Sequence, residues 1–206
     1  MKKMWEWIEA NSGLVQATMS AVTALVWMIY LHIIVSGLRR QRRTEILIHL
    51  GGARDLSGRI LVSNLGFEPI YVLEIMLNVW TEKGERMSSV ADRTEIAQEQ
   101  YQTPREATLQ GPLKSGESVD IGSVVDLVER ARHSSFDDID VGDLHQIEII
   151  VAAVTAADSA IAAATRVFRI AGQDDDLKLC PTTLDTQQVR SRRRRNKIEA
   201  KLKSML

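Results

Sequence analysis

The densest collection of groups able to bind a metal or move a proton is His133-Ser134-Ser135-Phe136-Asp137-Asp138-Ile139-Asp140-Val141-Gly142-Asp143-Leu144-His145, two imidazoles and four carboxylates in one short stretch. Imidazole nitrogens and carboxylate oxygens are ligands for divalent cations. Their spacing fits no helix-borne zinc pattern, and no Glu closes the segment at the offset a calcium loop requires. The stretch therefore reads as an acidic surface loop leading into a strand. Cys180, the single cysteine, precedes Pro181 without a histidine nearby in sequence and reads as a plain exposed thiol. There is no Walker-type glycine loop, no dinucleotide fingerprint and no G-x-S-x-G elbow. These absences predict a non-enzyme, with no catalytic residue, no cofactor and no metal ligand.

What must position any function is a membrane. Leu14 to Leu38 is an almost unbroken apolar run followed by Arg39-Arg40-Gln41-Arg42-Arg43. At about 1.5 Å per residue the run covers roughly 37 Å, enough for a hydrocarbon core of about 30 Å with some tilt. Secretory signal peptides have shorter apolar cores and end in small residues, whereas this run ends in Ile33-Ile34-Val35-Ser36-Gly37-Leu38 and arginines, so the helix is expected to remain as an anchor. Cytoplasmic flanks accumulate Lys and Arg. Four arginines follow the span, while Lys2 and Lys3 share their flank with Glu6 and Glu9. The expected orientation is N-terminus outside and Thr44 onward cytoplasmic, in the cell (inner) membrane. With one cysteine no internal disulfide can form, which agrees with a reducing compartment.

Two features inside the run bear on self-association. Gly13, Ala17 and Ala21 recur every four residues and make a small-residue stripe along which two helices can approach closely, predicting a homo-oligomer. His32 is the readily titratable side chain of the span, two turns from the arginines, and reads first as a histidine reaching the head-group region.

Charge is strongly partitioned although the net charge is −1. Residues 1–43 carry six Lys/Arg against two Asp/Glu, residues 44–185 twelve against twenty-four, and residues 186–206 eight against one. An acidic body between two basic segments is what an anionic inner leaflet would hold at its ends and repel in the middle. The expected membrane-surface contacts are Arg39, Arg40, Arg42 and Arg43 at the span and Arg190, Arg192, Arg193, Arg194, Arg195 and Lys197 in the tail. Beyond the tail arginines, Ile198, Leu202, Met205 and Leu206 recur at helical spacing, so a basic helix is predicted there, able to attach to lipid or to dock its apolar stripe on a partner. No aromatic side chain interleaves the arginines to stack on bases, which argues against nucleic acid.

Between the basic segments, alternation predicts strands. Ile46, Ile48 and Leu50 share one side of a first strand over 45–50, Arg59 to Asn64 form a second, and a third from Pro69 carries Tyr71, Leu73, Ile75, Leu77 and Val79 on one face. Glu85 to Val90 is a return strand after Lys83-Gly84. The polar stretch 91–109 reads as a long loop with an edge strand near 107–110. Val124, Leu127, Val128 and Ala131 mark a short helix over 123–133, and 146–154 with 161–170 make the strongest hairpin. The expected fold is thus a single N-terminal transmembrane α-helix, a mainly-β cytoplasmic domain built as an antiparallel β-sandwich, of which immunoglobulin-like layering is one form, and a basic C-terminal helix. The segments are a short external N-terminus (1–13), the span (14–38), a basic juxtamembrane segment (39–43), the β-sandwich (44–172), a linker (173–185) and the basic tail (186–206). The expected function is that of a single-pass, membrane-anchored, non-enzymatic interaction, scaffold or regulatory protein whose domain binds a protein partner. An accessory or oligomeric subunit of a membrane channel or transporter is the alternative.

Overall fold

The structure is a computed structural model that describes residues 2–41, 44–94, 104–134, 139–156, 160–172 and 176–204. The chain divides into two compact units, Met1–Arg43 and Thr44–Leu206. The first holds α1 (Lys2–Ala10) and α2 (Ser12–Gln41). Within α2, Ser12–Leu38 is long and apolar enough to cross a membrane, and none of it is buried within the protein. Two of its hydroxyls are satisfied within the helix, Thr18 donating to the Leu14 carbonyl and Thr23 to that of Met19, both at 2.8 Å.

The second unit is mainly β, and its strand pairs are antiparallel. β1 (Ile46–Gly51), β2 (Arg59–Asn64) and β6 (Ser118–Ser123) form one sheet in the order β1-β2-β6. The other sheet runs β10-β8-β7-β3-β4, with β5 (Gly111–Leu113) on β3 and β9 (Lys178–Pro181) on β8. Its remaining strands are β3 (Ile70–Thr81), β4 (Gly84–Ser89), β7 (Gln146–Thr155), β8 (Ala162–Ala171) and β10 (Gln187–Gln188). The two sheets share one hydrophobic core: Ile46, Ile48, Ile60, Val62 and Ile121 from the first meet Leu77, Val79, Ile147, Ile149 and Phe168 from the second. Each such aliphatic side chain contributes about 1.5 to 3 kcal/mol by leaving water.

The alternation read for β3 holds only over its second half. A register shift between Val72 and Glu74 places two residues opposite one, so the core set changes from Ile70 and Val72 to Ile75, Leu77 and Val79. Tyr71, read as inward, is 48% exposed as a result. The shift also turns Glu74 against β4, where its Oε1 accepts from Ser89 Oγ at 2.8 Å and from the Ile75 amide at 3.0 Å. Burial pushes the Glu74 carboxyl above its ordinary value of 4.5, and nearby Asp92 adds to the rise against those two hydrogen bonds. Above pH 4.5 the folded chain then keeps a proton that the unfolded chain has released, so Glu74 makes stability fall as pH rises through that window. Glu74→Gln preserves the accepting oxygen and removes the charge. Its urea midpoint relative to the parent is expected to climb between pH 5 and pH 7, whereas a constant difference would contradict this.

β6 was not foreseen as a strand. It leads directly into α3 (Val124–Ser134), which does fall on the predicted span, through a reciprocal cap: Asp126 Oδ2 accepts from the Ser123 amide at 2.8 Å and Ser123 Oγ from the Asp126 amide at 3.2 Å. Gly122 before it sits at φ +106°, and a Cβ there would lie 3.0 Å from Arg130 Nη2, so a side chain would strain the backbone and crowd the guanidinium. Arg130, buried on α3, donates to the Ile121 carbonyl at 2.8 Å and ties the helix to the sheet.

The edge strand expected at 107–110 lies instead at 111–113, and among the described residues of the loop before it a bridge joins Asp92 and Thr108. Residues 95–103 of that loop are outside the described set. The segment read as a linker is also partly sheet: Lys178–Pro181 pairs with β8, and Asp55 bridges to Lys178. Just beyond it, residues 186–188 close an edge of each sheet. β10 pairs by its backbone with β8 (Gln187 with Thr165, Gln188 with Ala164), while its side chains serve β1. Gln188 Nε2 donates to the Ile46 carbonyl at 2.6 Å and its Oε1 accepts from the Ile46 amide at 3.3 Å. Thr186 Oγ1 accepts from the Ile48 amide at 2.8 Å and lies 3.0 Å from its carbonyl. Two polar side chains thus do for β1 what a neighbouring strand would do, and the edge is not left open for pairing.

Candidate functional site

The end of the β-domain where the chain enters from residue 43 collects the features that reach beyond structure. Asn64, fully buried at the end of β2, organises it. Its Nδ2 donates to the carbonyls of Glu68 (2.9 Å) and Leu113 (3.1 Å), and its Oδ1 accepts from the Gly66 amide (3.0 Å). The loop from Leu65 to Pro69 is therefore pinned across its length by one side chain. It displays Leu65 at 55% and Phe67 at 72% exposure. The Leu65 amide donates to the Glu45 carbonyl at 2.8 Å, which fixes the loop to the second residue of the domain.

The basic tail starts at the same end. Arg190 Nη2 lies 3.5 Å from Glu45 Oε2, and a groove lined by Glu45, Ile46, Leu65, Gln188 and Arg190 opens beside it. From there α4 (Arg192–Lys203) reverses direction and passes over the outer face of the larger sheet. Arg194, Lys197, Ile198 and Lys201 face Met76, Asn78, Glu85, Glu148 and Ile150 across a cavity of about 580 Å³. Part of the predicted apolar stripe therefore meets this chain's own sheet, with two carboxylates opposite three cations; Met205 and Leu206 lie outside the described residues. This cover explains why Asn78, on the face of β3 opposite Leu77 and Val79, is 2% exposed. Its Nδ2 donates to Glu85 Oε1 at 2.7 Å.

Local propensity does not favour the start of α4. Four arginines occupy its first turn, where the helix dipole is positive, and Ser191 makes no side-chain cap. Packing of half-buried Ile198 and the Lys203–Glu199 pair at 2.9 Å hold the helix instead.

The other predicted residues are placed as follows. Arg39 and Arg40 fall in the last turns of α2, and Arg42 and Arg43 lie outside the described residues. Gly13, Ala17 and Ala21 are exposed on α2, with nothing within 4 Å of a Cβ built on Gly13. Replacing Ala17 and Ala21 by Leu is expected to reduce self-association of the chain in a membrane two-hybrid assay; an unchanged signal would reject that face. In the acidic segment, Asp140 Oδ1 accepts from the Val141 amide at 2.7 Å and pairs with Arg132 at 3.1 Å, while Ser135–Asp138 lie outside the described residues. Among the described residues no three His, Cys, Asp or Glu side chains converge on a point that could hold a metal. Cys180 is exposed on β9.

Sequence reasoning missed Asn64, Thr186, Gln188 and Arg166, whose roles depend on contacts far apart along the chain. Leu65 and Phe67 carried a faint signal, two large apolar residues inside the turn Asn64-Leu65-Gly66-Phe67-Glu68-Pro69. No family model, curated protein or solved structure matches this chain.

Proposed function

We propose that this chain is a single-pass membrane protein without enzymatic activity, N-terminus outside, whose cytoplasmic β-domain binds a protein partner. The observation that carries the reading is the order along the chain: an unburied apolar helix of spanning length, a cluster of arginines, then an acidic folded domain. We read the domain as a β-sandwich, because two antiparallel sheets contribute inward residues to one core. In this reading the strand edges and long loops supply the recognition surface, and the basic segments attach to the inner leaflet. The second reading, an accessory or oligomeric subunit of a channel or transporter, draws on the exposed Gly13, Ala17 and Ala21 stripe.

The test is capture from native membranes in mild detergent, using the full chain and one lacking Val189 to Leu206. A protein retained in stoichiometric amount by the full chain supports the interaction role, and its loss with the tail assigns the tail a share. Retention of no specific protein by either contradicts the proposal.

A further inference from the structure

We propose that the Leu65–Pro69 loop is a second membrane contact, seating Leu65 and Phe67 in the head-group region of an anionic phospholipid bilayer with Arg190, Arg192 and Arg193 around it. This rests on the anchored reading above and adds to it a defined lipid-facing end of the domain.

Three observations converge. Leu65 and Phe67 are large, exposed and held in place: the Asn64 amide spans the loop, so presenting them to lipid costs little ordering. The loop is hydrogen-bonded to Glu45, which follows Arg43 by two residues, or roughly 7 Å of extended chain. A surface that holds the juxtamembrane arginines therefore has this end of the domain within reach. Finally, the tail begins here, Arg190 beside Glu45 and exposed Arg192 and Arg193 after it, before α4 turns away over the sheet. Of the nearby carboxylates, Glu45 pairs with Arg190 and Glu117 Oε2 accepts from the Lys114 amide at 2.7 Å, while Glu68 lies within the loop and Asp185 lines the groove beside Leu65, so the arginines must outweigh these two at the lipid surface.

Apolar side chains flanked by arginines are the combination that binds an anionic interface. Two side chains expose far less than the roughly 1,200 Å² that a stable protein interface buries, which favours lipid over a protein at this spot. The proposal also divides the tail: its first arginines meet lipid, while Lys197 and Lys201 remain over Glu85 and Glu148.

The experiment uses the full chain carrying Cys180→Ser, reconstituted in phosphatidylcholine vesicles with and without phosphatidylglycerol. A nitroxide is attached at Phe67→Cys or, as control, at Glu82→Cys in the exposed turn at the opposite end of β3. Collision rates with oxygen, which partitions into lipid, and with a water-soluble nickel chelate report depth. The expected result is a several-fold higher oxygen-to-nickel ratio at 67 than at 82, increased further by phosphatidylglycerol. Equal ratios in a chain that resists alkaline extraction would overturn the lipid contact and leave the anchor intact. Shielding of 67 from both reagents would overturn it in favour of an interface between copies. Extraction of the chain by alkali would overturn the anchored reading itself.

Discussion

Replacing Arg166 with Met is expected to lower the unfolding free energy of the β-domain by about 2 to 4 kcal/mol. Arg166 stands on β8 at 8% exposure, and its guanidinium donates to the carbonyls of Ile48 on β1, of Leu184 at 3.1 Å and of Thr183 at 3.5 Å. It also lies 5.5 Å from the centroid of Phe168, a core ring. One side chain thus joins the larger sheet, the edge of the smaller sheet and the loop that leads into β10. Burial lowers the guanidinium's pKa and Asp185 partly counters this, so the charge is held at some cost that Met would remove. The loss of three carbonyl partners outweighs that relief, because the Thr183 and Leu184 carbonyls are left without their donor. Ile48 suffers less, since Thr186 Oγ1 lies 3.0 Å from its carbonyl. For a domain of this size the thermal midpoint should fall by roughly 5 to 12 °C, followed by circular dichroism of the full chain in micelles. Arg166→Lys should recover only part, because an ammonium lacks the fork that reaches several carbonyls together. A midpoint unchanged in Arg166→Met would show that the sheets do not depend on this junction.

Asn64→Ala is expected to cost about 2 to 4 kcal/mol and to release the loop that carries Leu65 and Phe67. The substitution removes three hydrogen bonds at a buried position and leaves the Leu113 carbonyl without its amide donor. The backbone bonds of residue 64, its amide to Glu117 at 3.0 Å and its carbonyl from Gly116 at 2.8 Å, survive, so the end of β2 stays in register. The largest effect should be local: amide hydrogen exchange in peptides covering 64–70 should speed up by more than the general loss of protection that the lower stability gives β7 and β8. Asn64→Asp should do no better, because its oxygens would face the carbonyls of Glu68 and Leu113. Protection equal to the parent across 64–70 would contradict the role given to this amide.

The parts of this fold legible in the sequence are those where hydrophobic burial repeats at a fixed period. β1 and the first halves of β2 and β7 alternate, β8 is a largely apolar return strand, α3 repeats every three to four residues, and α2 carries an almost unbroken apolar run over 14–38. β3 was legible in extent, and in face only beyond Glu74, because a one-residue bulge inverts the alternation before it without leaving a turn residue to mark it. β6 was missed because only Val119 and Ile121 among its residues are large and apolar. β9 and β10 are four and two residues long, too short for a period, and their partners are set by position in space rather than by pattern. The candidate site divides the same way. Its cations were legible as a run of like charge, whereas its geometry comes from Asn64, Glu45 and Arg190, polar residues whose partners lie two to 145 positions away and follow no repeat.

The central claim is that α2 stays in the bilayer with the β-domain on the side of the arginines. It is tested by washing membranes at alkaline pH, then exposing right-side-out and inverted vesicles to protease. The account predicts that the chain pellets with the membranes and that residues beyond 43 are cut in inverted vesicles only. Recovery of the chain in the soluble fraction, or cleavage of the β-domain in sealed right-side-out vesicles, would contradict it.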